Sequence, residues 1–380
     1  HTRFALVSWA RDVYKRQTQY IGTPELDVLV MGFARRFATY KRATLMFKDK
    51  NRLSRLLNDP ERPVILVFAG KAHPNDEPGQ DLIRAIHNYA HMPEFQGRII
   101  LLEDYNMSMA RSLVTGVDVW INTPEYPLEA SGTSGEKAAI NGVLNLSVLD
   151  GWWGEAFNGK NGWGISPHGV GTDPEIRDRE EANDLLDIME HEIIPIFYNR
   201  GQQGYSKYWV KLSKGSMKSC IPRFNASRMV MDYVKKLYSP AKKQNQILAQ
   251  NNAEPARELA AWKKKVRDNW HHIRMERLQN EKDFIQTGES LNIQVSAYLN
   301  GLSAEDIVLE CVVGQYNEQK EEMTGCEHHF FHYEKQEKGN HIFSLQLKPS
   351  NSGLNHYRVR MYPYHKLLSH PFETGCLIWL

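Results

Sequence analysis

The sequence predicts an α/β fold, an open parallel sheet followed by a smaller β-rich domain, and three observations carry that prediction. From Leu26 onward, short apolar runs at 28–32, 64–70, 99–102, 117–121 and 144–149 alternate with amphipathic helical stretches, the pattern of parallel βαβ units. Beyond residue 286 the apolar period changes to two, as in Leu291, Ile293, Val295 and in Ile307, Leu309, Cys311, which marks a β-rich region, read as a small sandwich. The polar residues with chemical potential follow the strand ends: Arg35, Arg36 and Lys41, then Lys71 and His73, Glu103 and Tyr105, the segment 129–137, and Asp150. An open parallel sheet binds its ligands beyond the carboxyl ends of its strands, so one edge collects them.

Taken in order, helical periods fall at 40–57, 80–91 and 107–114, the last closed by Gly116. A helical region over 180–237 is expected to cover the sheet, with Pro195 and Pro222 as breaks. The polar stretch PAKKQNQILAQNN (240–252) reads as a linker, and 255–275 as a helix with Trp262, Val266 and Trp270 on one stripe. Further period-two sets are Ile342, Ser344, Gln346 and Tyr357, Val359, Met361. The resulting division is an atypical leader over 1–25, a sheet domain over 26–239, linker and helix over 240–285, and the β-rich domain over 286–380.

A chain of 380 residues can hold two or three cored units. With 47 Lys+Arg against 45 Asp+Glu, the net charge of +2 supplies no long-range field for nucleic acid or an anionic membrane, so any basic site is local. Cys220, Cys311, Cys326 and Cys376 are scattered without a CxxC pair, which speaks against a disulfide framework or zinc site and for a reducing cytoplasm. His328, His329 and His332 in EHHFFHY alternate between faces of a strand, so they read as solvated or packed histidines and no metal is expected. No signal peptide or membrane-length apolar run is visible.

The stretch EASGTSGEK, Glu129 to Lys137, sits between an apolar run and a helical pattern expected over 136–144. Gly132, Thr133, Ser134 and Gly135 form a small-residue turn whose backbone N–H groups, together with the helix start, make an anion site. Lys137 is expected in the first turn of that helix, where the macrodipole disfavours positive charge and pushes the amine towards its neutral, nucleophilic form. The spacing refuses a nucleotide P-loop: Gly132 precedes Gly135 by three, Glu136 intervenes and Ala138 follows the lysine. Two readings stay open on the residues alone: a phosphate-bearing aldehyde cofactor with its carbonyl carbon on Lys137 as a Schiff base, or a strand-to-helix turn with a surface lysine.

EASGTSGEKAAINGVLNLSVLDG, with GFARRFATYKRA (32–43) and EDYNMSMARSL (103–113) in the same order, resembles the pyridoxal-phosphate attachment region and flanking motifs of the glycogen (alpha-glucan) phosphorylase family, closest to its shorter bacterial branch. The resemblance runs from about Leu26 to the C-terminus and implies the Rossmann-like C-terminal half of a GT-B type glycosyltransferase fold, here followed by the β-rich domain. His1-Thr2-Arg3-Phe4 resembles a segment well upstream in the family, and ALVSWARDVYKRQ (5–17) matches nothing in it, which reads as a foreign or mis-assembled leader.

The resemblance implies pyridoxal 5'-phosphate on Lys137, anchoring and not acting as chemical base, with Gly132, Thr133, Ser134, Gly135, Arg35 and Tyr105 around the cofactor. It places Arg36 and Lys41 on orthophosphate or the phosphate of glucose-1-phosphate. Glu129, Ser131 and Gly132 would take the glucosyl hydroxyls of an α-1,4-glucan. The implied reaction is reversible phosphorolysis of the terminal glucosyl unit, with the cofactor's own phosphate exchanging a proton with the substrate phosphate. Each residue also has an ordinary reading: Arg35, Arg36, Lys41 and Arg42 as a solvated helix start, Tyr105 as a packed aromatic, Glu129 as a loop carboxylate. Trp152-Trp153 departs from the animal-type pattern. The rival functions are a nucleotide-sugar glucosyltransferase of the same architecture, leaving Lys137 unmodified, and a non-catalytic glucan-binding fragment. The reaction of the two-domain architecture needs both halves, so the chain by itself is expected to be inactive, and an exposed cleft face would favour association into a homo-oligomer.

Overall fold

The computed structural model describes residues 28–169, 171–278, 289–317, 322–348 and 354–380; the leader read at 1–25 lies outside them. The chain divides into two compact units between Met229 and Val230. The first holds six parallel strands: β1 (Leu29–Ala34), β2 (Val64–Ala69), β3 (Ile99–Leu102), β4 (Val119–Asn122), β5 (Leu144–Val148) and β6 (Gly162–Ile165). They lie in the order β3-β2-β1-β4-β5-β6, the doubly wound arrangement whose order reverses between β1 and β4. β2, β3, β4 and β5 are buried along their whole length; β2 and β3 are continuous apolar runs, while β4 and β5 also bury Asn122, Asn145 and Ser147.

The intervening helices are α1 (Lys50–Leu57), α2 (Glu77–Ala90), α3 (Met107–Gly116), α4 (Thr133–Ile140) and α5 (Gly151–Ala156), followed by α6 (Pro174–Ile188). Caps set their starts: Asp76 accepts from Gly79 N, Asn106 from Ser108 N and Met109 N, and Asp173 from Glu175 N and Ile176 N. The helix predicted over 40–57 is helical in pieces, with 3₁₀ turns at Thr39–Lys41 and Leu45–Asp49 before α1. Arg42 breaks the run with a left-handed backbone, φ 46°. The break expected at Pro195 is absent. A π turn over Met189–Ile193 leads directly into α7 (Ile194–Tyr198), and this widened turn accommodates Pro195, which has no N–H to give to the helix. The helix α8 (Lys207–Cys220) ends before Pro222, as expected.

The second unit contains two four-stranded antiparallel sheets. One runs β10-β9-β13-β14, built from β9 (Ile307–Asn317), β10 (Glu322–Phe330), β13 (His356–Pro363) and β14 (Ile378–Trp379). The other runs β11-β12-β8-β7, built from β7 (Arg274–Arg277), β8 (Leu291–Tyr298), β11 (His332–Glu337) and β12 (Asn340–Leu347). Ile293, Val295, Leu309, Cys311, Phe343, Leu345 and Met361 share one core with Leu259, Trp262, Val266 and Trp270, so the predicted aromatic stripe packs as read. Its helix ends at Asn269, and Met275 lies in β7.

In this unit one sequence reading gains a local structure and another is corrected. The stretch read as a linker over 240–252 is helical over Ser239–Leu248, because Pro240 falls in the first turn and no breaker follows until Asn251–Ala253, whose left-handed backbone makes the kink. In β12 the core face is Phe343, Leu345 and Leu347, not Ile342, Ser344 and Gln346; Ile342 is also buried, which hid a register one residue off. Of the histidines, His328 Nδ1 donates to Glu310 Oε1 at 2.6 Å, and Arg360 Nε donates to Glu310 Oε2 at 2.6 Å. Among the described residues no helix is long and apolar enough to cross a membrane, and no group of three or more His, Cys, Asp or Glu side chains is arranged to hold a metal ion.

Candidate functional site

The segment after β1 turns back along the end of β2, where Arg35 N donates to Ala69 O at 3.1 Å and Phe37 N to Lys71 O at 3.0 Å. That path carries Arg35 and Lys41 into the interior while Arg36 stays exposed. Glu129, on the long connection after β4, meets them: Arg35 Nη2 donates to its Oε2 at 2.5 Å and Lys41 Nζ to the same oxygen at 2.9 Å. All three side chains are buried. The second carboxylate oxygen carries neither bond. Glu129 is itself fixed by its backbone N–H, which donates to Asp150 Oδ2 at 2.9 Å, and Asp150 also caps α5 through Gly151 N.

Arg35 is incompletely satisfied. Its Nε and Nη1 are buried and have no hydrogen-bond partner, an arrangement that costs free energy unless a ligand supplies acceptors. Burial pulls the guanidinium below the ordinary arginine value, and the Glu129 carboxylate opposes that pull. The geometry leaves a fixed cation with donors to offer an anion.

The glycine loop is built on close packing. Gly132 is the residue before α4, with a left-handed backbone at φ 93° that a side chain would strain. Gly135 is packed so tightly that a Cβ would lie 2.7 Å from Asn145 Oδ1 and 2.8 Å from Trp152 Nε1. Trp152 thus forms the floor under the loop, and its backbone N–H donates to Ser131 O at 2.9 Å. Trp120 Nε1 donates to Ser134 Oγ at 3.2 Å, which ties the loop to β4.

The helix after this loop begins at Thr133, three residues earlier than predicted. Lys137 therefore lies in its last turn, not its first, and the macrodipole there favours the ammonium. The dipole argument for a neutral amine fails; glycine and two small hydroxyl residues at the helix start had concealed it. Lys137, Thr133 and Ser131 are exposed, and Glu136, half-buried in the first turn, is pushed up by burial. Tyr105 follows β3, half-buried, and burial raises its phenol.

The structure thus brings Arg35, Lys41 and Glu129 into contact, with Tyr105 after β3 and the loop Gly132–Gly135 at the start of α4, and sets Lys137 in the last turn of α4, exposed, while Arg42 turns elsewhere. Arg42 Nε donates to Thr123 O at 3.0 Å, Nη2 to Pro124 O at 2.7 Å and to Glu181, and Nη1 to Asp178 Oδ1 at 2.8 Å. Sequence reasoning missed Asp178 and Glu181, which stand more than 130 positions away on α6. Asp150 was visible as a strand-end carboxylate, but its bond to Glu129 N–H was not.

A doubly wound parallel sheet carries a buried, partly unsatisfied cation cluster at its carboxyl edge, where such folds bind ligands. The comparisons narrow this. Residues 18–155 match the family model Carbohydrate phosphorylase, and residues 270–380 match Glycogen phosphorylase C-terminal domain. Among relatives, the maltodextrin phosphorylase of Thermococcus litoralis is 42% identical over 371 residues, covering 94% of this chain and 42% of that protein. The glycogen phosphorylase of Mycobacterium tuberculosis (strain H37Rv) is 39% identical over 352 residues, covering 92% of this chain and 41% of its own length. That of Aquifex aeolicus is 50% identical over 213 residues, covering 56% and 30% respectively. The chain belongs to the glycogen phosphorylase family, and it spans about two fifths of the length of the first two relatives.

Proposed function

We propose that this chain supplies the cofactor and phosphate side of an α-glucan phosphorylase, which releases glucose-1-phosphate from the ends of α-1,4-glucans. The observation that carries the reading is Arg35, buried beside Lys41 and Glu129 with two N–H donors lacking acceptors. A phosphate group fits that requirement, and pyridoxal 5'-phosphate adds the aldehyde that the Lys137 amine would hold. When bound, the cofactor supplies a second phosphate able to exchange a proton with the substrate phosphate.

The chain's own residues take the following parts. Lys137 anchors. Arg35 and the N–H groups of Gly132, Thr133, Ser134 and Gly135 bind the cofactor phosphate, and Tyr105 flanks its ring. Arg36 and Lys41 hold orthophosphate, offsetting the repulsion between two close phosphates. Glu129, through the oxygen that Arg35 and Lys41 leave open, accepts glucosyl hydroxyls with help from Ser131 and the Gly132 backbone, which would reject analogues lacking those hydroxyls. The remaining enzyme parts of this reading are a cytoplasmic setting and, for residues 1–380 tested alone, binding without turnover, since positioning across a two-walled cleft can contribute roughly 7 to 11 kcal/mol to the barrier.

The test is made in a full-length family enzyme carrying this region. Arg36→Ala and Lys41→Ala should each lower orthophosphate-dependent turnover by about 3 to 4 kcal/mol of transition-state stabilisation, with glucan binding far less affected. Unchanged turnover in both variants would return these residues to a solvated-surface role.

A further inference from the structure

In the second unit, β11 forms one edge of its sheet, and every residue of the strand is exposed. Among the described residues no strand pairs with its far side, so that edge presents backbone N–H and C=O groups to a further strand. The local sequence keeps part of the edge regular. Lys338 and Gly339, with φ 51° and 87°, make the two-residue turn of a hairpin, and Lys335, Gln336 and Glu337 run in unbroken register with Ile342, His341 and Asn340. The irregularity falls one step earlier, at Glu334, whose side chain accepts from Gln294 Nε2 on β8 at 3.3 Å.

Lys335 and Glu337, two apart in the strand, project from one face, and Lys335 Nζ lies 2.8 Å from Glu337 Oε2. A lysine on an edge strand ordinarily repels another copy of that edge. Here the charges are self-complementary. Antiparallel pairing of two identical edges puts the two-fold axis perpendicular to the sheet, so residues directly opposite each other share a face. With the axis at Gln336, Lys335 faces Glu337 of the second copy, and Glu337 faces Lys335 of the second copy. Together with the bridge already present within each strand, these charges close a ring in which every neighbour has the opposite sign. Moving the axis one residue either way sets Lys335 against Lys335 or Glu337 against Glu337, so the charges also select the register. We propose that β11 is a homotypic docking edge, on which a second copy of this chain pairs antiparallel about Gln336 and the two sheets become continuous. Neither the cofactor nor the glucan enters this contact.

The test measures self-association of residues 1–380 by sedimentation equilibrium across a concentration series, for the unaltered chain, for Lys335→Glu, for Glu337→Lys, and for the two variants mixed. The side chains are 61% and 52% exposed, so both variants should fold, and an unchanged thermal unfolding midpoint verifies this. The unaltered chain is expected to dimerise, more weakly as salt screens the charges. Lys335→Glu makes the ring wholly negative and Glu337→Lys makes it wholly positive, so each variant alone should lose about tenfold or more in dimer affinity. Their equimolar mixture restores opposite signs across the axis and should regain the affinity as a dimer of one copy of each. A chain that stays monomeric up to about 1 mM overturns the docking edge. So does dimerisation unchanged in both variants, which would move the contact to another face, and so does a mixture that associates no better than the separate variants.

Discussion

Lys41 and Arg42 are neighbours in sequence, both buried and both ion-paired, yet they belong to clusters of opposite character. Around Arg42, four hydrogen bonds reach Thr123 O, Pro124 O, Asp178 and Glu181, so the guanidinium is held on every side and joins α6 to the end of β4. Around Lys41, one carboxylate oxygen of Glu129 serves two cations, and Arg35 keeps two buried nitrogens, Nε and Nη1, without acceptors. The difference teaches how to tell a buried cation that holds a fold from one that awaits a ligand: burial and pairing are common to both, and unsatisfied donors separate them.

The largest expected effect is on the closed cluster. Arg42→Met keeps the volume but leaves Glu181, fully buried, without its cation, and should cost about 3 to 5 kcal/mol in urea unfolding. The paired change at the open cluster, Arg35→Met, removes one charged bond to Glu129 and two unpartnered donors together. Those contributions oppose each other, so stability should shift by less than about 1 to 2 kcal/mol while pyridoxal phosphate retention falls. Equal destabilisation by the two variants would erase the distinction. Between them in size lies Gly135→Ala, whose Cβ would press on Asn145 and Trp152 and should cost about 1 to 3 kcal/mol, read by the shift in melting midpoint.

The smallest effect is a pH dependence at the edge of the closed cluster. The hydrogen bond to Asp184 raises His168 above the ordinary imidazole value. A group raised on folding stabilises fully below its unfolded pKa, near 6.5, and the contribution fades as pH climbs through the folded value. Relative to Asp184→Asn, the unaltered chain should lose part of its stability advantage as pH rises above about 6.5, by a few tenths of a kcal/mol given the exposure of the pair. A constant difference across that range would remove the pair from the account.

What the sequence disclosed followed from local patterns. β3 falls at 99–102 as read, because four buried apolar residues leave no ambiguity, whereas β1 extends two residues past Gly32 because Gly32, Phe33 and Ala34 continue in register with Val67, Phe68 and Ala69. β6 was not seen: GWGI has two glycines in four residues and reads as a turn, though Gly162 and Gly164 pair with Asn145 and Ser147. The residues of the open cluster were legible as strand-end cations and a loop carboxylate. Their convergence on one oxygen, the separation of Arg42 onto α6, and Trp152 beneath Gly135 depend on contacts across the fold that no local pattern carries.

Whether Lys137 holds the cofactor, as proposed above, is settled by one measurement. The chain is loaded with pyridoxal phosphate, reduced with borohydride and digested, and the labelled peptide is sequenced. The account predicts the label on Lys137; a label on Lys71 or Lys160, with none on Lys137, would contradict it.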